Sequence, residues 1–275
     1  MSDTMPALLT SALTKTYGDR PALEPLDLQV PQGQHVALVG HNGSGKTTLL
    51  RMAAGLLDPT RGEVRIMGRS AGSLEARRAL SWLSDSPTFY DDLSLWEHLE
   101  YVSRLHGVEQ WQQRAEELLE RLQLSARRDD IPTTFSRGLR QKSAIALGMA
   151  RPFDVLLVDE PFVGLDAEGK EALIDLFDEA SAAGAALVVA AIEDAERTGE
   201  HVRVLRWAPG NDRLGMARAV LARGPALLLT PSQHEADTLV RRLAGEGYPV
   251  VRHPDGWAAG AVGASVVGGR AAVWA

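Results

Sequence analysis

Cysteine is absent from the 275-residue chain. That excludes disulfide scaffolds, thiolate zinc sites and iron–sulfur clusters, and it suits a reducing compartment. An excess of basic charge is missing too: 29 Lys and Arg stand against 36 Asp and Glu, a net charge of −7. A dedicated duplex-DNA binder neutralises phosphates with clustered Lys and Arg, so nucleic acid is not an expected partner. Long apolar runs are lacking. The longest, 180–192, is thirteen residues of mostly alanine, where a membrane-spanning helix needs about 20 apolar residues. The start, Met1-Ser2-Asp3-Thr4-Met5-Pro6, has neither the basic end nor the apolar stretch of a signal peptide. The expectation is a soluble, cytoplasmic protein that reaches a membrane only through a partner. What is present is a globular composition, 45% hydrophobic and 24% charged, which argues against disorder or a coiled coil. The length suits one large domain, or one of ordinary size with an appendage.

Short apolar runs alternate with helix-length segments over the first two hundred residues. His35-Val36-Ala37-Leu38-Val39 is a buried-strand pattern ending in glycines, and 46–57 then reads as a helix. Val155-Leu156-Leu157-Val158 is a second apolar strand. Leu173, Ile174, Leu176 and Phe177 form a helical stripe within 166–181, and Leu187-Val188-Val189 and Val202-Arg203-Val204-Leu205 read as further strands. This alternation predicts a parallel sheet covered on both faces. Residues 88–150 read as a helical insert. Ser94 with Glu97 has the spacing of a capping box, 111–122 is amphipathic, and Pro132 breaks the chain before a third helix over 137–149. After Trp207, Pro209-Gly210-Asn211-Asp212 is turn chemistry, followed by a β-α-β pattern over 226–229, 233–244 and 250–252. The last eighteen residues are rich in Gly and Ala and weakly patterned.

The chemistry begins at Gly40-His41-Asn42-Gly43-Ser44-Gly45-Lys46-Thr47, a complete G-x-x-x-x-G-K-[ST] with a strand before it and a helix after it. Glycines let successive backbone N–H groups turn inward onto phosphate oxygens, and the following helix adds its positive end. Lys46 is expected to reach the β- and γ-phosphates, and the Thr47 hydroxyl to ligate Mg²⁺. At the end of the second strand, Asp159 is placed to hold magnesium and Glu160 to face an attacking water. These two elements predict nucleotide binding and phosphoanhydride hydrolysis.

From about residue 9 to residue 206 the sequence resembles the ATP-binding cassette (ABC) ATPases. Phe135-Ser136-Arg137-Gly138-Leu139, followed by Arg140-Gln141-Lys142, resembles the family's signature, normally close to L-S-G-G-Q. The Ser-Arg-Gly-Leu-Arg-Gln form resembles a variant seen among exporter-type members. Pro161-Phe162-Val163-Gly164-Leu165-Asp166 matches the segment after the catalytic glutamate, and Tyr17 in Thr16-Tyr17-Gly18 matches the aromatic that stacks on adenine. The resemblance implies a RecA-like P-loop core with a parallel sheet, an antiparallel β subdomain and the helical insert. Residues 1–206 would form the ATPase domain; 207–275 lie beyond the resemblance and form a C-terminal extension whose role stays open, with segments that resemble either the small α/β appendage of some exporter subunits or pieces of a primosomal-type helicase lobe. The family resemblance implies ATP and Mg²⁺ as ligands, a second ABC ATPase subunit (identical or a paralogue) and a separate membrane permease. Localisation at the inner face of the membrane, through that permease, follows. Lys46 and Glu160 would carry catalysis. Tyr17, Gly40, His41, Asn42, Gly43, Ser44, Gly45, Lys46, Thr47 and Thr48 would bind the nucleotide. Ser136 and Gly138 would cap the γ-phosphate held by the other subunit.

Two departures from the family pattern stand out. The glutamine expected in the loop after Leu80-Ser81-Trp82-Leu83 falls at Asp85, an acceptor-only side chain that could ligate Mg²⁺ alongside Thr47 and Asp159, or simply sit in a solvated turn. After Leu187-Val188-Val189 the family has a histidine that contacts the γ-phosphate; here the chain reads Ala190-Ala191-Ile192-Glu193-Asp194. The expectation is an exporter-type transport ATPase whose hydrolysis is slow or needs a partner with intact motifs. The alternatives are a non-transport ABC ATPase and a degenerate ATP-gated dimerisation module. In the helical insert, Phe89, Tyr90, Leu93 and Trp96 are either the permease contact or the insert's own core.

Overall fold

The computed structural model describes residues 5–40 and 43–192, and beyond them Arg241 and the strands at 203–207, 227–229, 250–252 and 271–274. Three sheets organise these residues. β1 (Leu8–Tyr17), β2 (Arg20–Val30), β4 (Arg61–Ile66) and β5 (Arg69–Ser70) form an antiparallel sheet in the order β2-β1-β4-β5. The central sheet runs β6-β7-β8-β3-β9, built from β3 (His35–Gly40), β6 (Leu80–Leu83), β7 (Val155–Asp159), β8 (Ala186–Ile192) and β9 (Arg203–Trp207).

The first four strands of that sheet are parallel, as their apolar runs predict. β9 departs from the expectation: it pairs with β3 antiparallel, at the edge. Only residues 193–202 join β8 to β9, fewer than the dozen or more that a parallel crossover needs. Alternation along β7 explains how one strand serves two layers. Leu156 and Val158 enter a core shared with the helical insert, while Val155 and Leu157 enter a core shared with the antiparallel sheet.

α1 (Lys46–Ala53) follows β3 directly and is shorter than the 46–57 expected. It stops where Gly55 turns at φ +70, and a Cβ there would lie 2.3 Å from the Gly72 backbone. The short α2 (Leu74–Ala79) leads into β6. In the insert, α3 (Leu95–Leu105) starts on the predicted capping box of Ser94 and Glu97. Its first two amides donate to the Asp130 and Arg128 carbonyls, so they need no water. α4 (Gln112–Arg121) and α5 (Arg137–Met149) complete the insert, and α6 (Ala167–Ala182) returns to the core. Glu179 of α6 pairs with Arg114 at 2.7 Å and Arg121 at 2.5 Å, both on α4, tying the insert to the core.

Beyond β9, β10 (Leu227–Leu229), β11 (Val250–Arg252) and β12 (Ala271–Trp274) form a parallel sheet in the order β10-β12-β11. Two of these strands match the β-α-β pattern. The third lies in the weakly patterned end and is the central one. The expected helix over 233–244 lies outside the described residues except at Arg241, which is helical.

Candidate nucleotide site

Gly40, the last residue of β3, pairs with Ile192, and Asp159, the last of β7, pairs with Ala190. Both motifs therefore finish at the carboxyl edge of the parallel strands, with only β8 between them. That edge is where open α/β sheets take ligands.

Gly43 and Gly45 hold φ of +88 and +97, a region that costs glycine nothing and other residues a strain. At Gly45 space forbids any substitution as well. A Cβ would lie 2.5 Å from the Ala22 carbonyl oxygen on β2. That contact seats the antiparallel sheet on the phosphate loop. Tyr17 pairs with Arg20 across the hairpin just before Ala22. Its ring is 57% exposed, free to stack, with Lys15 Nζ 5.2 Å from its centroid. Ser44 and Lys46 are buried, and Thr47 and Thr48 are half-buried on the first turn of α1. His41 and Asn42 lie outside the described residues.

Asp159 is 1% exposed, and neither carboxylate oxygen has a hydrogen-bond partner among the described residues. The Ser44 hydroxyl is buried and unpartnered in the same way. Buried polar atoms are nearly always paired, so these orphans mark groups that await a ligand. Burial pushes the Asp159 carboxyl above the ordinary range. Thr47, Lys46 and Arg51 pull it down, and Asp85 adds to the push. A buried carboxylate beside the Thr47 hydroxyl is a hard-oxygen donor set, which suits Mg²⁺. Glu160 is half-buried and also raised, first by burial and then by Asp159 and Asp85, against Lys46 and Arg137. Its backbone sits at φ +46, a left-handed conformation that costs a non-glycine residue about 1 kcal/mol or more and is typical of functional sites.

Asp85 reaches this pair through its charge, but its two oxygens accept from the Ser84 and Ser86 hydroxyls at 3.2 Å each. No cluster of three or more His, Asp or Glu in metal-holding geometry occurs among the described residues. Glu193, Asp194 and His201 lie outside the described residues.

The signature segment starts α5. Ser136 is its N-cap, accepting from the Leu139 amide at 3.4 Å, and Ser136 and Arg137 are exposed. Sequence reasoning missed how this helix grips the loop after Glu160. A Cβ on Gly138 would lie 2.6 Å from the Gly164 carbonyl oxygen. One turn on, the buried Lys142 donates to Asp166 at 3.0 Å. Asp166 in turn caps α6 through the Gly169 amide. The i, i+4 spacing of Gly138 and Lys142 on one helix face was the available signal. Of the insert's four candidate contacts, Tyr90 is exposed at 54%, whereas Trp96 is half-buried with its ring 4.7 Å from Trp111. No helix among the described residues is long and apolar enough to cross a membrane.

Fold and site together define an ATP-binding P-loop domain with a helical insert. Residues 23–163 match the family described as ABC transporter, and the chain belongs to it, with the ATPase domain typical of the family. It is 32% identical over 189 residues to the ABC-type transporter ATP-binding protein EcsA of Bacillus subtilis, covering 67% of this chain and 76% of that one. The uncharacterized ABC transporter ATP-binding protein YthP of the same species is 32% identical over 164 residues, covering 59% of this chain and 66%, just under two thirds, of that one. The aliphatic sulfonates import ATP-binding protein SsuB 3 of Paraburkholderia xenovorans is 34% identical, covering 73% and 77%. Among solved structures, an ATP-binding subunit of an ABC transporter aligns with TM-score 0.64 at 31% identity, over 67% of this chain and 78% of that one. The ATP-binding cassette MJ0796, a dimer in a post-hydrolysis state bound to ADP and Pi, aligns with TM-score 0.61 at 27% identity, over 66% and 87%.

Proposed function

We propose that this chain is the ATP-hydrolysing subunit of an ABC transporter, that it closes as a dimer around two nucleotides, and that it drives a separate membrane permease in the direction of export. The observation that carries the reading is the pair of orphaned, buried Asp159 oxygens beside Thr47 and Lys46. Cassette similarity does not set the direction of transport, because SsuB 3 is named for import. The Ser-Arg-Gly-Leu-Arg-Gln signature supports export.

In this reading the loop amides of residues 40–47 and the Lys46 ammonium draw in the triphosphate. Thr47 and Asp159 would hold Mg²⁺, which would supply charge neutralisation to the phosphates. Asp85 joins them only if Ser84 and Ser86 release its oxygens. Glu160 accepts a hydrogen bond from a water and takes its proton as the water oxygen bonds to the γ-phosphorus. The bond from that phosphorus to the β–γ bridging oxygen breaks, leaving ADP and phosphate. Ser136 and Gly138 cap the nucleotide held by the other subunit. The first turn of α5 has no acidic residue, so a bound anion at that end is favoured.

With Glu193 and Asp194 rather than a histidine directly after β8, turnover is slow or relies on a partner subunit with intact motifs. That same absence supports the second reading, an ATP-gated dimerisation module with weak hydrolysis. A steady-state ATPase assay with Mg²⁺ tests the assignment. Glu160→Gln is expected to lower kcat by about 10²–10⁴-fold, the range a positioned base contributes, while calorimetry still detects ATP binding. A variant as fast as the wild type would remove Glu160 from the role of base.

A further inference from the structure

Three hydrogen-bond donors on one face of α5 have nothing to bond. Arg137, Arg140 and Gln141 stand at i, i+3 and i+4 of that helix, so they share a face. They line a cleft of about 440 Å³ between the start of α5 and residues 85–89, which follow β6. Neither guanidinium makes an ion pair or a hydrogen bond among the described residues. The Gln141 side chain is the more telling group. It is 3% exposed, and its amide has no partner among the described residues. Buried polar atoms are nearly always bonded, so an unpartnered amide in the wall of a cleft points to an occupant of that cleft.

The other lining groups narrow the chemistry of the occupant. Thr88 and Thr133 line the cleft too, and their hydroxyls make no hydrogen bond among the described residues. Asp85 is the acidic group in the lining, but its oxygens already accept from the Ser84 and Ser86 hydroxyls. Glu160 feels the charge of Arg137 and of Asp85, yet it does not line the cleft. The first turn of α5 has no acidic residue to cancel the positive end of the helix. Two guanidinium charges thus stand against one carboxylate. A cation would be repelled, and an apolar ligand would leave all three donors unpaired. A small oxyanion satisfies them, and guanidinium meets phosphate through two parallel N–H···O bonds.

We propose that this cleft is a second anion site, which takes a phosphate group between Arg137, Arg140 and the Gln141 amide. It differs from the cap that the signature offers to the other subunit's nucleotide. Ser136 and Gly138 do not line it, and it is complete within one chain. It depends neither on transport nor on hydrolysis. Free phosphate and a phosphomonoester carry the same group, and the two sources are separated by experiment.

The test uses the full chain carrying Lys46→Ala, which weakens the phosphate loop, with neither Mg²⁺ nor nucleotide present. Phosphorus NMR titration with inorganic phosphate is expected to show one saturable site. Arg140→Gln and Gln141→Leu, each added to Lys46→Ala, should weaken it about ten-fold or more, the factor that a hydrogen bond to a charged group is worth. Asp85→Asn should tighten it about two- to five-fold, because a like charge leaves the cleft. Sulfate should displace the phosphate, and chloride at equal ionic strength should not. Glycerol phosphate is the second probe: tighter binding than free phosphate makes a phosphomonoester the ligand, and equal or weaker binding makes it free phosphate. No saturable binding, or binding that Arg140→Gln and Gln141→Leu leave unchanged, overturns the site. Equal displacement by chloride reduces it to a positive patch and overturns it as well. Should Gln141→Leu not fold, Arg140→Gln and Asp85→Asn, with their opposite expected shifts, make the same comparison.

Discussion

Asp159 is the residue where function and stability pull apart. Its carboxylate is buried, has no partner at ordinary hydrogen-bond distance among the described residues, and is raised above the ordinary carboxylate value by burial, against a weaker pull from the Thr47 hydroxyl. A carboxylic acid whose folded value is raised weakens the fold as pH rises through that value, because the unfolded chain ionises it freely. At neutral pH the ligand-free protein therefore carries a cost that bound Mg²⁺ and nucleotide would remove. Asp159→Asn is expected to raise the melting temperature of the ligand-free protein at pH 7.5, by about 1–2 kcal/mol in stability, while abolishing Mg²⁺-dependent turnover. Calorimetric melts with and without ATP check it: the wild type gains from ligand, and the variant starts higher and gains little. A variant that melts lower than the wild type would mean that Asp159 has a structural partner. At this scale the sequence was most legible where a motif fixes both residue type and spacing, as at Lys46, Thr47, Asp159 and Glu160. It was silent at Gln141, because a glutamine in a helical pattern does not disclose that its amide will be buried without a partner.

Between elements, the informative unit is α5 with the loop it grips. Gly138 against Gly164 and Lys142 against Asp166 fasten the signature helix to the residues that follow Glu160. Partial burial pushes the Asp166 carboxyl up, but the Lys142 ammonium and the Gly169 amide outweigh it and hold the value below the usual range. A depressed carboxylate contributes stability that is complete above the unfolded value, near 4, and is lost as pH falls through the lower folded value. Melting temperature followed from pH 6 to pH 3 should therefore fall more steeply for the wild type than for Asp166→Asn, which lacks that linkage. Parallel curves would mean that the pair contributes nothing on the acid side. Helix ends were legible where chemistry announces them, at Ser94 with Glu97 and at Ser136. The early stop of α1 was not, because it depends on Gly55 meeting Gly72, a contact between segments far apart in sequence. The antiparallel edge of β9 was equally hidden, since an apolar run has no direction.

The whole molecule is half of a device, if the signature works across a twofold axis. On its own chain the exposed N-terminal end of α5, with Ser136 and Arg137 outermost, has no acidic residue in its first turn. A second copy would supply the missing anion as its bound triphosphate. Linkage sets the size of the effect. Nucleotide favours the dimer only by as much as the dimer binds it better than the monomer does, and a preference of about 100-fold is worth about 2.7 kcal/mol per site. Two sites give about 5.4 kcal/mol, roughly a 10⁴-fold gain in dimerisation. Hydrolysis abolishes that gain, so the dimer should persist only where turnover is blocked. Glu160→Gln is expected to sediment as a dimer with Mg-ATP and as a monomer with ADP, whereas Glu160→Gln combined with Ser136→Arg should remain monomeric in both. A Glu160→Gln protein that binds ATP yet stays monomeric at micromolar concentration would leave the phosphate loop intact as a binding site and remove the sandwich.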